Sequence, residues 1–282
     1  MLFDTHAHLN FAAYKDDVGE VIKHTLKEGV FVANVGSQYT TSKRAVEIAQ
    51  NYENGVWATV GLHPIHLVKR KINLDDSELL ESEFQTAGEV FDYQKYLELA
   101  KDPKVVAIGE MGLDYHHFEE GDNISELKKQ QKDTFLEGIR LANDVGKPLM
   151  IHCWDAYDDL LEILKSNLVE KRGVIHSFIG GYKTARKFIE LGYKIGMNGV
   201  MTYTTDFNRL IKEVALEDIV LETDCPYLTP IPHKGERNEP IYVKYVAEKV
   251  AEVKGISCEE VEKQTTENAL RFFKLSAVFV LK

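Results

Sequence analysis

The segment VVAIGEMGLD at residues 105–114 gives the clearest indication of the fold. It begins with apolar and β-branched residues, which are typical of a buried strand. Glu110 nevertheless lies inside it and Asp114 ends it. A carboxylate inside a buried strand is costly unless a cation or hydrogen-bond donors hold it. The segment therefore predicts a buried strand that ends in a polar site.

Seven further segments share this character, a short β-rich run with polar residues at its end: residues 1–8, 30–36, 55–63, 148–154, 173–178, 193–199 and 218–227. Amphipathic stretches that predict helices follow most of them: residues 16–28, 41–52, 125–145, 157–168, 182–191 and 207–215, with a helical tail over 240–253, 258–264 and 266–275. Alternating strands and helices predict a parallel sheet. Eight such units in ~250 residues favour an α/β fold of the (β/α)8 TIM-barrel type. A doubly wound open sheet is the alternative.

The composition is that of a folded chain, with 282 residues that are 44% hydrophobic and 28% charged. We expect a single domain over 1–282, with 69–88 as an inserted surface loop. The net charge of −11 repels nucleic acid and anionic membranes, so any nucleic-acid function needs a local site. Three cysteines, no secretion signal and no long apolar run favour a cytoplasmic protein with no membrane contact. Nothing indicates an obligate protein partner.

Histidines are concentrated at the ends of the predicted strands. Five of the ten lie there: His6, His8, His63, His152 and His176. In a barrel the carboxyl ends of the strands meet at one mouth, where active sites of this fold lie. A single histidine after an apolar run is usually a core residue, and the His6-x-His8 pair alone is weak evidence of a site. The joint placement of these side chains with Glu110 and Asp224 indicates a metal site.

Six ligands exceed the four of a closed structural zinc site, so two ions fit better than one. His6, His8 and Asp224 would hold one ion, His152 and His176 the other, and Glu110 would bridge them. Mixed oxygen and nitrogen donors accept Mg²⁺, Mn²⁺ or Zn²⁺. Ions ~3.5–4 Å apart can activate water for attack on a phosphoester.

The motifs recur in a fixed order along the chain: FDTHAHL at 3–9, GLHP at 61–64, VVAIGEMGLDY at 105–115, IHC at 151–153, VIHSF at 174–178, LETDCPYLTP at 221–230 and RNEP at 237–240. This series resembles the TatD family of metal-dependent deoxyribonucleases, within the amidohydrolase-like barrels. The resemblance implies divalent metals and hydrolysis of DNA phosphodiesters, often as a 3′-to-5′ exonuclease. It implies the same six ligands and places His63 beside the scissile phosphate.

The sequence departs from the family pattern at three places. Ile65 separates Pro64 from His66, where the family usually has G-x-H-P-H. Trp154 stands where the family often has arginine, and the loop at 69–88 is longer than usual. These differences leave the metal ligands intact but bear on the substrate.

Substrate contacts are expected from residues near the mouth: His63, Trp154, Tyr203 and Arg237, with further aromatic candidates at Phe178 and Tyr227 and basic ones at Lys69, Arg70, Lys71 and Lys234. Stacking on aromatic rings holds bases of any sequence. The alternative is that the aromatic residues pack in the core and the basic ones are solvated. An acidic enzyme with a small funnel suits single-stranded DNA or chain ends better than long duplex.

Roles follow for the remaining polar residues. Asp224 can accept a proton from the attacking water, while Glu110 and His63 complete the catalytic set. Asp114 is placed to orient a ligand histidine, Glu222 to support the site one pleat deeper, and Cys153 to face away from it.

Three functions remain open at this point. The first is a TatD-type deoxyribonuclease, which the intact ligands and RNEP at 237–240 favour. The second is a metal hydrolase of the same barrel type that acts on a small phosphoester, amide or lactone. The third is an inactive barrel that serves as a binding protein.

Overall fold

The computed structural model describes residues 1–73, 83–86 and 88–275. Its strands are β1 (Leu2–Ala7), β2 (Val30–Val35), β3 (Val56–Val60), β4 (Lys71–Asn73), β5 (Glu83–Gln85), β6 (Val105–Asp114), β7 (Leu149–Trp154), β8 (Gly173–Ile175), β9 (Lys194–Met197) and β10 (Ile219–Leu221). Strands β4 and β5 form an antiparallel hairpin. The other eight form one parallel sheet in chain order.

The sheet closes on itself at the carboxyl ends of its first and last strands. The backbone N–H of His8 donates to the Cys225 carbonyl at 2.8 Å, and that of Asp224 donates to the His6 carbonyl at 2.8 Å. A parallel bridge between Ala7 and Cys225 joins the same segments. The predicted barrel is therefore confirmed, and the doubly wound open sheet was wrong.

Helices cover the outside of the barrel: α1 (Val18–Lys27), α2 (Tyr39–Gln50), α3 (Tyr93–Ala100), α4 (Ile124–Val145), α5 (Tyr157–Ser166), α6 (Tyr182–Glu190), α7 (Asn208–Glu213), α8 (Val243–Lys254) and α9 (Cys258–Phe272). Short 3-10 turns span Ala12–Tyr14, Pro64–Leu67, Gly199–Thr202, Leu216–Asp218 and Pro240–Tyr242. No helix in the described ranges is long and apolar enough to cross a membrane.

Three details differ from the sequence-based expectation. Helix α3 was not predicted, although Asp92 caps its first turn by accepting from the Lys95 N–H at 3.2 Å. Residues 258–272 form one helix where two were predicted, and Thr265 donates to the Val261 carbonyl within that helix. The predicted loop at 69–88 contains the β4–β5 hairpin, while residues 74–82 and 87 lie outside the described part.

The barrel interior is apolar near the amino ends of the strands. Phe3 stacks on Trp57 with ring centroids 5.4 Å apart. Phe273, just after α9, packs against Phe3 at 5.4 Å. Together with Leu270, these side chains are buried in one cluster that closes the floor of the barrel. The polar carboxyl ends of the strands therefore lie at the opposite, open end of the barrel.

Replacing Phe273 with alanine tests this closure. Removing a buried aromatic ring leaves a cavity, so Phe273→Ala should lower the free energy of unfolding by ~3–5 kcal/mol. The neighbouring Arg271 is exposed, so Arg271→Ala is the matched control. Urea denaturation monitored by circular dichroism measures both variants. Equal midpoints for the two variants would show that α9 does not support the barrel floor.

Candidate metal centre

The Glu110 carboxylate lies at the centre of the mouth and is buried. The register of β6 against β7 shifts between Ile108 and Met111, so the strand bulges where Glu110 lies. Gly109 and Gly112 flank the bulge with φ of 146° and 154°. A Cβ on either glycine would lie 2.2 Å or less from a carbonyl oxygen of β7. Glycine at both positions therefore allows the backbone course that brings Glu110 into the mouth.

One oxygen of Glu110 faces two histidines: His6 lies in β1, and His8 follows the last residue of that strand. Its Oε2 lies 3.4 Å from His6 Nε2 and 3.7 Å from His8 Nε2. The Asp224 Oδ1 approaches the same two nitrogens at 3.6 and 3.3 Å. Asp224 itself has φ of +58°, a conformation that non-glycine residues adopt rarely and mostly where the surroundings enforce it. Four side chains thus form a first cluster.

The other oxygen of Glu110 faces a second cluster. Its Oε1 lies 2.6 Å from His176 Nε2, 3.0 Å from His152 Nδ1 and 3.4 Å from His63 Nε2. All six predicted ligands are therefore brought together, with the shared carboxylate between two groups. Combinations of these side chains are spaced closely enough to hold a metal ion: His6, His8 and Asp224 form one, and His63, Glu110 and His152 another.

Hydrogen bonds fix which nitrogen of two histidines faces the cluster. His8 donates from Nδ1 to the Val35 carbonyl at 2.9 Å, so its Nε2 is the nitrogen that faces the cluster. His152 donates from Nε2 to Asp114 Oδ2 at 3.1 Å, so its Nδ1 faces the cluster and can bind an ion once it has lost its proton. Metal-binding histidines usually have such a partner on the far nitrogen. The expected contact between Asp114 and a ligand histidine is present.

Glu222 lies behind His176, one pleat deeper, as the strand alternation predicts. Its Oε1 is 3.6 Å from His176 Nδ1 and accepts the Ser177 N–H. A Cβ on Gly196 would lie 2.6 Å from the other oxygen of this carboxylate. The absence of a side chain at residue 196 therefore leaves the space that Glu222 occupies.

The cluster keeps its carboxylates ionised despite burial. Burial raises the pKa of Glu110, but the positive charge of His176 and the hydrogen bond with His152 outweigh it and hold that pKa well below its usual range. Burial likewise acts against the charged form of Asp224, and its hydrogen bond with His8 lowers the pKa overall. Buried carboxylates of this kind require cations beside them.

Protonated histidines supply that positive charge when no ion is bound. Burial lowers the pKa of His152, but hydrogen bonds with Asp114 and Glu110 outweigh it and raise the pKa to about 9. The pKa of His176 is raised well above its usual range, because Glu110 outweighs the effect of burial there too. A divalent ion would take over this role and release the protons.

His63 differs from the four histidines that are predicted to be metal ligands. Its Nδ1 accepts the Ile65 N–H at 3.1 Å, so the proton of the neutral ring is on Nε2, which faces Glu110. Burial lowers its pKa to about 4, so the ring is neutral at pH 7. His63 therefore offers a hydrogen-bond donor and not a lone pair. His66 bonds Ser37 Oγ through Nε2 at 3.2 Å and stays outside the cluster, as the inserted Ile65 suggests.

The aromatic residues predicted to contact the substrate differ in their burial and in their partners. Trp154 is half-buried and stacks on His116. Phe178 is fully buried and packs on Tyr157, so its expected place at the mouth was wrong and it is a core residue. Tyr203 donates its hydroxyl to the Thr229 carbonyl at 2.9 Å.

Arg237 is already engaged within the protein. Its guanidinium donates to both oxygens of Asp17, at 3.0 and 2.7 Å, and to Glu239 at 3.0 Å. It reaches a phosphate only if these bonds are exchanged. Arg70 is held in the same way by Asp122, at 3.0 and 3.2 Å.

Two features near the site were missed or resolved only by the structure. His117 was not among the predicted site residues, but its Nδ1 lies 2.8 Å from Asp114 Oδ2. The spacing of three residues between an aspartate at a strand end and a histidine was the available signal. Cys153 belongs to the apolar layer between barrel and helices, as the strand alternation predicts.

Comparisons with known proteins agree with this geometry. The model of the family described as TatD related DNase matches residues 3–274. An uncharacterized metal-dependent hydrolase of Bacillus subtilis, YabD, is 38% identical over 280 residues, which cover 98% of this chain and 100% of the relative. The uncharacterized metal-dependent hydrolase YcfH of Escherichia coli K12 is 30% identical over 98% of this chain and 97% of its own.

Solved structures give the same result. The TatD homologue YjjV of Escherichia coli K12 superimposes with a TM-score of 0.79 at 26% identity and 98% coverage of both chains. A TatD family hydrolase of Entamoeba histolytica reaches 0.79 at 21% identity and 98% coverage of both chains, which supports the fold alone. The sequence match over nearly the whole chain and the cluster at the barrel mouth lead to one conclusion: the chain belongs to the TatD family of metal-dependent hydrolases.

Proposed function

We propose that the two clusters bind two divalent ions with Glu110 shared between them. His6, His8 and Asp224 would hold the first ion, and His152 and His176 would hold the second. The donor chemistry fits, because Nε2 of His8 faces the ionised Asp224 in the first cluster and Nδ1 of His152 faces the ionised Glu110 in the second. Mg²⁺, Mn²⁺ and Zn²⁺ all accept such mixed donors.

We further propose that the protein cleaves DNA phosphodiester bonds, as a 3′-to-5′ exonuclease on single strands or chain ends. The observation that carries this proposal is Glu110, whose two oxygens face separate clusters. Paired divalent ions supply positive charge at both the attacking and leaving oxygens of a phosphodiester and lower the pKa of water. The family description, a TatD related DNase, supports the same substrate class.

The chain's own residues take defined roles in this reaction. Asp224 is ionised and only partly buried at the mouth, with its side chain 15% exposed, so it can accept the proton of the attacking water. His63 can donate its Nε2 proton in a hydrogen bond to a phosphate oxygen. Trp154 and Tyr203 are the proposed contacts for bases.

We also propose a single domain over the whole chain that acts in the cytoplasm. The family match over residues 3–274 supports the first proposal. The three cysteines are unpaired in the structure, which suits a reducing compartment.

The nuclease proposal is tested with purified protein and single-stranded DNA labelled at one end or the other. Parallel reactions contain EDTA, Mg²⁺, Mn²⁺ or Zn²⁺. Metal-dependent release of mononucleotides from the 3′ end is expected. Turnover of small phosphoesters, amides or lactones without DNA cleavage would instead identify the alternative hydrolase. Bound metal with no turnover on any of these substrates would indicate an inactive barrel.

Substitutions at Asp224 and His63 should separate catalysis from metal binding. Asp224→Asn should keep the fold and part of the metal but lose nearly all nuclease activity, beyond the ~10²–10⁴-fold of proton transfer alone. His63→Ala should keep both metals and lose less activity. Nuclease rates with metal content from mass spectrometry measure both, and Asp133→Asn on the exposed face of α4 is the control. Wild-type turnover by metal-loaded Asp224→Asn protein would exclude the assigned role.

Asp114 should affect metal binding without touching an ion. Asp114→Asn removes the charge that orients His152, so the affinity for Mn²⁺ should fall ~10–100-fold. Isothermal titration calorimetry of this variant and of Asp133→Asn measures the difference. An unchanged Mn²⁺ affinity in the Asp114 variant would show that the His152 ring is held by other contacts.

Metal affinity should rise with pH. His152, with a pKa raised to about 9, and His176, whose pKa is raised well above its usual range, carry protons at neutral pH until an ion binds. A lower pH favours the protonated rings, so each displaced proton should weaken Mn²⁺ binding by up to about tenfold per pH unit. Titrations at pH 6, 7 and 8 in buffers of different ionisation enthalpy measure affinity and proton release. Affinity independent of pH, with no proton released, would contradict the assigned protonation states.

A further inference from the structure

Two aromatic rings, one from the loop after β6 and one from the end of β7, form a stack at the rim of the mouth. The imidazole of His116 lies on the indole of Trp154, with centroids 4.0 Å apart and planes at 7°. His117 meets the same indole edge-on at 5.3 Å and 90°. The His116 side chain is 48% exposed. The stack therefore presents aromatic surface to solvent beside the metal centre.

The loop that carries His116 is anchored on both sides of the stack. His116 Nδ1 lies 3.0 Å from Asp155 Oδ2. The backbone N–H and Nδ1 of His117 bond the two oxygens of Asp114 at 3.0 and 2.8 Å. Arg70 donates to the His117 carbonyl at 2.8 Å. The stack is thus formed before any substrate arrives, which reduces the entropy that binding costs.

The position of the stack matches the size of one nucleotide. Trp154 is two residues beyond His152 on β7, so the two side chains leave the strand on the same side about 6.6 Å apart. A nucleotide whose phosphodiester lies at Glu110 can therefore place its base near the indole. The two guanidinium groups considered for phosphate binding, those of Arg70 and Arg237, are engaged by carboxylates.

We propose that the His116–Trp154 stack is the binding subsite for one base of the DNA strand, next to the scissile bond. This inference rests on the proposed nuclease function and deepens it. The base stacks on the exposed ring surface, so recognition depends on the presence of a base and tolerates any sequence. His116 is then a base-contacting residue together with Trp154.

Tryptophan fluorescence can report on this subsite alone. The chain has two tryptophans, and Trp57 is buried in the barrel floor. In a Trp57→Phe protein loaded with Mg²⁺, emission comes from Trp154. The probe is a short single-stranded oligonucleotide with phosphorothioate linkages that resist hydrolysis, and the matched ligand is the same backbone without bases. Urea denaturation first verifies that each variant is folded.

The expected result is a saturable change in emission with the base-containing oligonucleotide and a much weaker response to the abasic one. His116→Ala should weaken binding roughly 5- to 150-fold, the range for loss of one stacked base, whereas His116→Phe should retain it. His24→Ala, on the exposed face of α1, should bind like wild type. The DNA affinity of Trp154→Ala is measured by the anisotropy of labelled DNA and should be weaker than that of wild type. In nuclease assays, this variant should raise KM for DNA more than it lowers kcat.

Equal affinity for the base-containing and abasic ligands would overturn the inference, as would full affinity in His116→Ala. Nuclease rates on ordinary DNA are measured with the same preparations. A protein that cleaves DNA but binds both ligands equally disproves the stacking subsite and leaves the nuclease proposal intact. A protein that hydrolyses only small substrates disproves the nuclease proposal and the subsite together.

Discussion

The burial of the Glu110 carboxylate is the constraint on which the rest of the mouth depends. A charged group at this depth is stable only among cations, and the structure surrounds it with nitrogen atoms of His6, His8, His63, His152 and His176. The glycines of GEMG at 109–112 permit the backbone course that delivers it, because a Cβ there would collide with β7. The two oxygens then divide the surrounding histidines into two groups. The local backbone of β6 thus places the Glu110 carboxylate between the two groups of histidines.

The partners behind the histidines are as important as the histidines themselves. A backbone carbonyl of β2 sets the orientation of His8, and Asp114 sets that of His152. Because Asp114 also bonds His117, one carboxylate connects a ring of the proposed metal centre to the loop after β6. The position of that loop is therefore coupled to the orientation of a ligand histidine. Substitutions in this loop can therefore change the orientation of the His152 ring without contacting it.

The sequence predicted the barrel and the assembly of the cluster because both depend on periodic patterns. Eight apolar runs with polar ends define strand direction, and strand direction alone brings His6 and His176 to one mouth. Helix α3 was missed because the stretch at 69–88 separates it from the strand before it, so that only its cap at Asp92 indicated where it begins. The pairing of Arg237 with Asp17, 220 residues apart, and the stack of His116 on Trp154 depend on tertiary packing. No local pattern contains that information.

Binding of a polyanion by a chain of net charge −11 requires local compensation. The guanidinium groups of Arg70 and Arg237 are paired with Asp122 and Asp17. Divalent ions at Glu110 would concentrate positive charge at one or two phosphates only. Uncharged groups can supply further affinity, and aromatic rings at the rim are such groups. Bases of a duplex are paired and stacked on each other, so only an unpaired strand or a frayed end can use them. Under the proposed nuclease function, the acidic charge and the stacked rings thus both favour single-stranded ends as substrate.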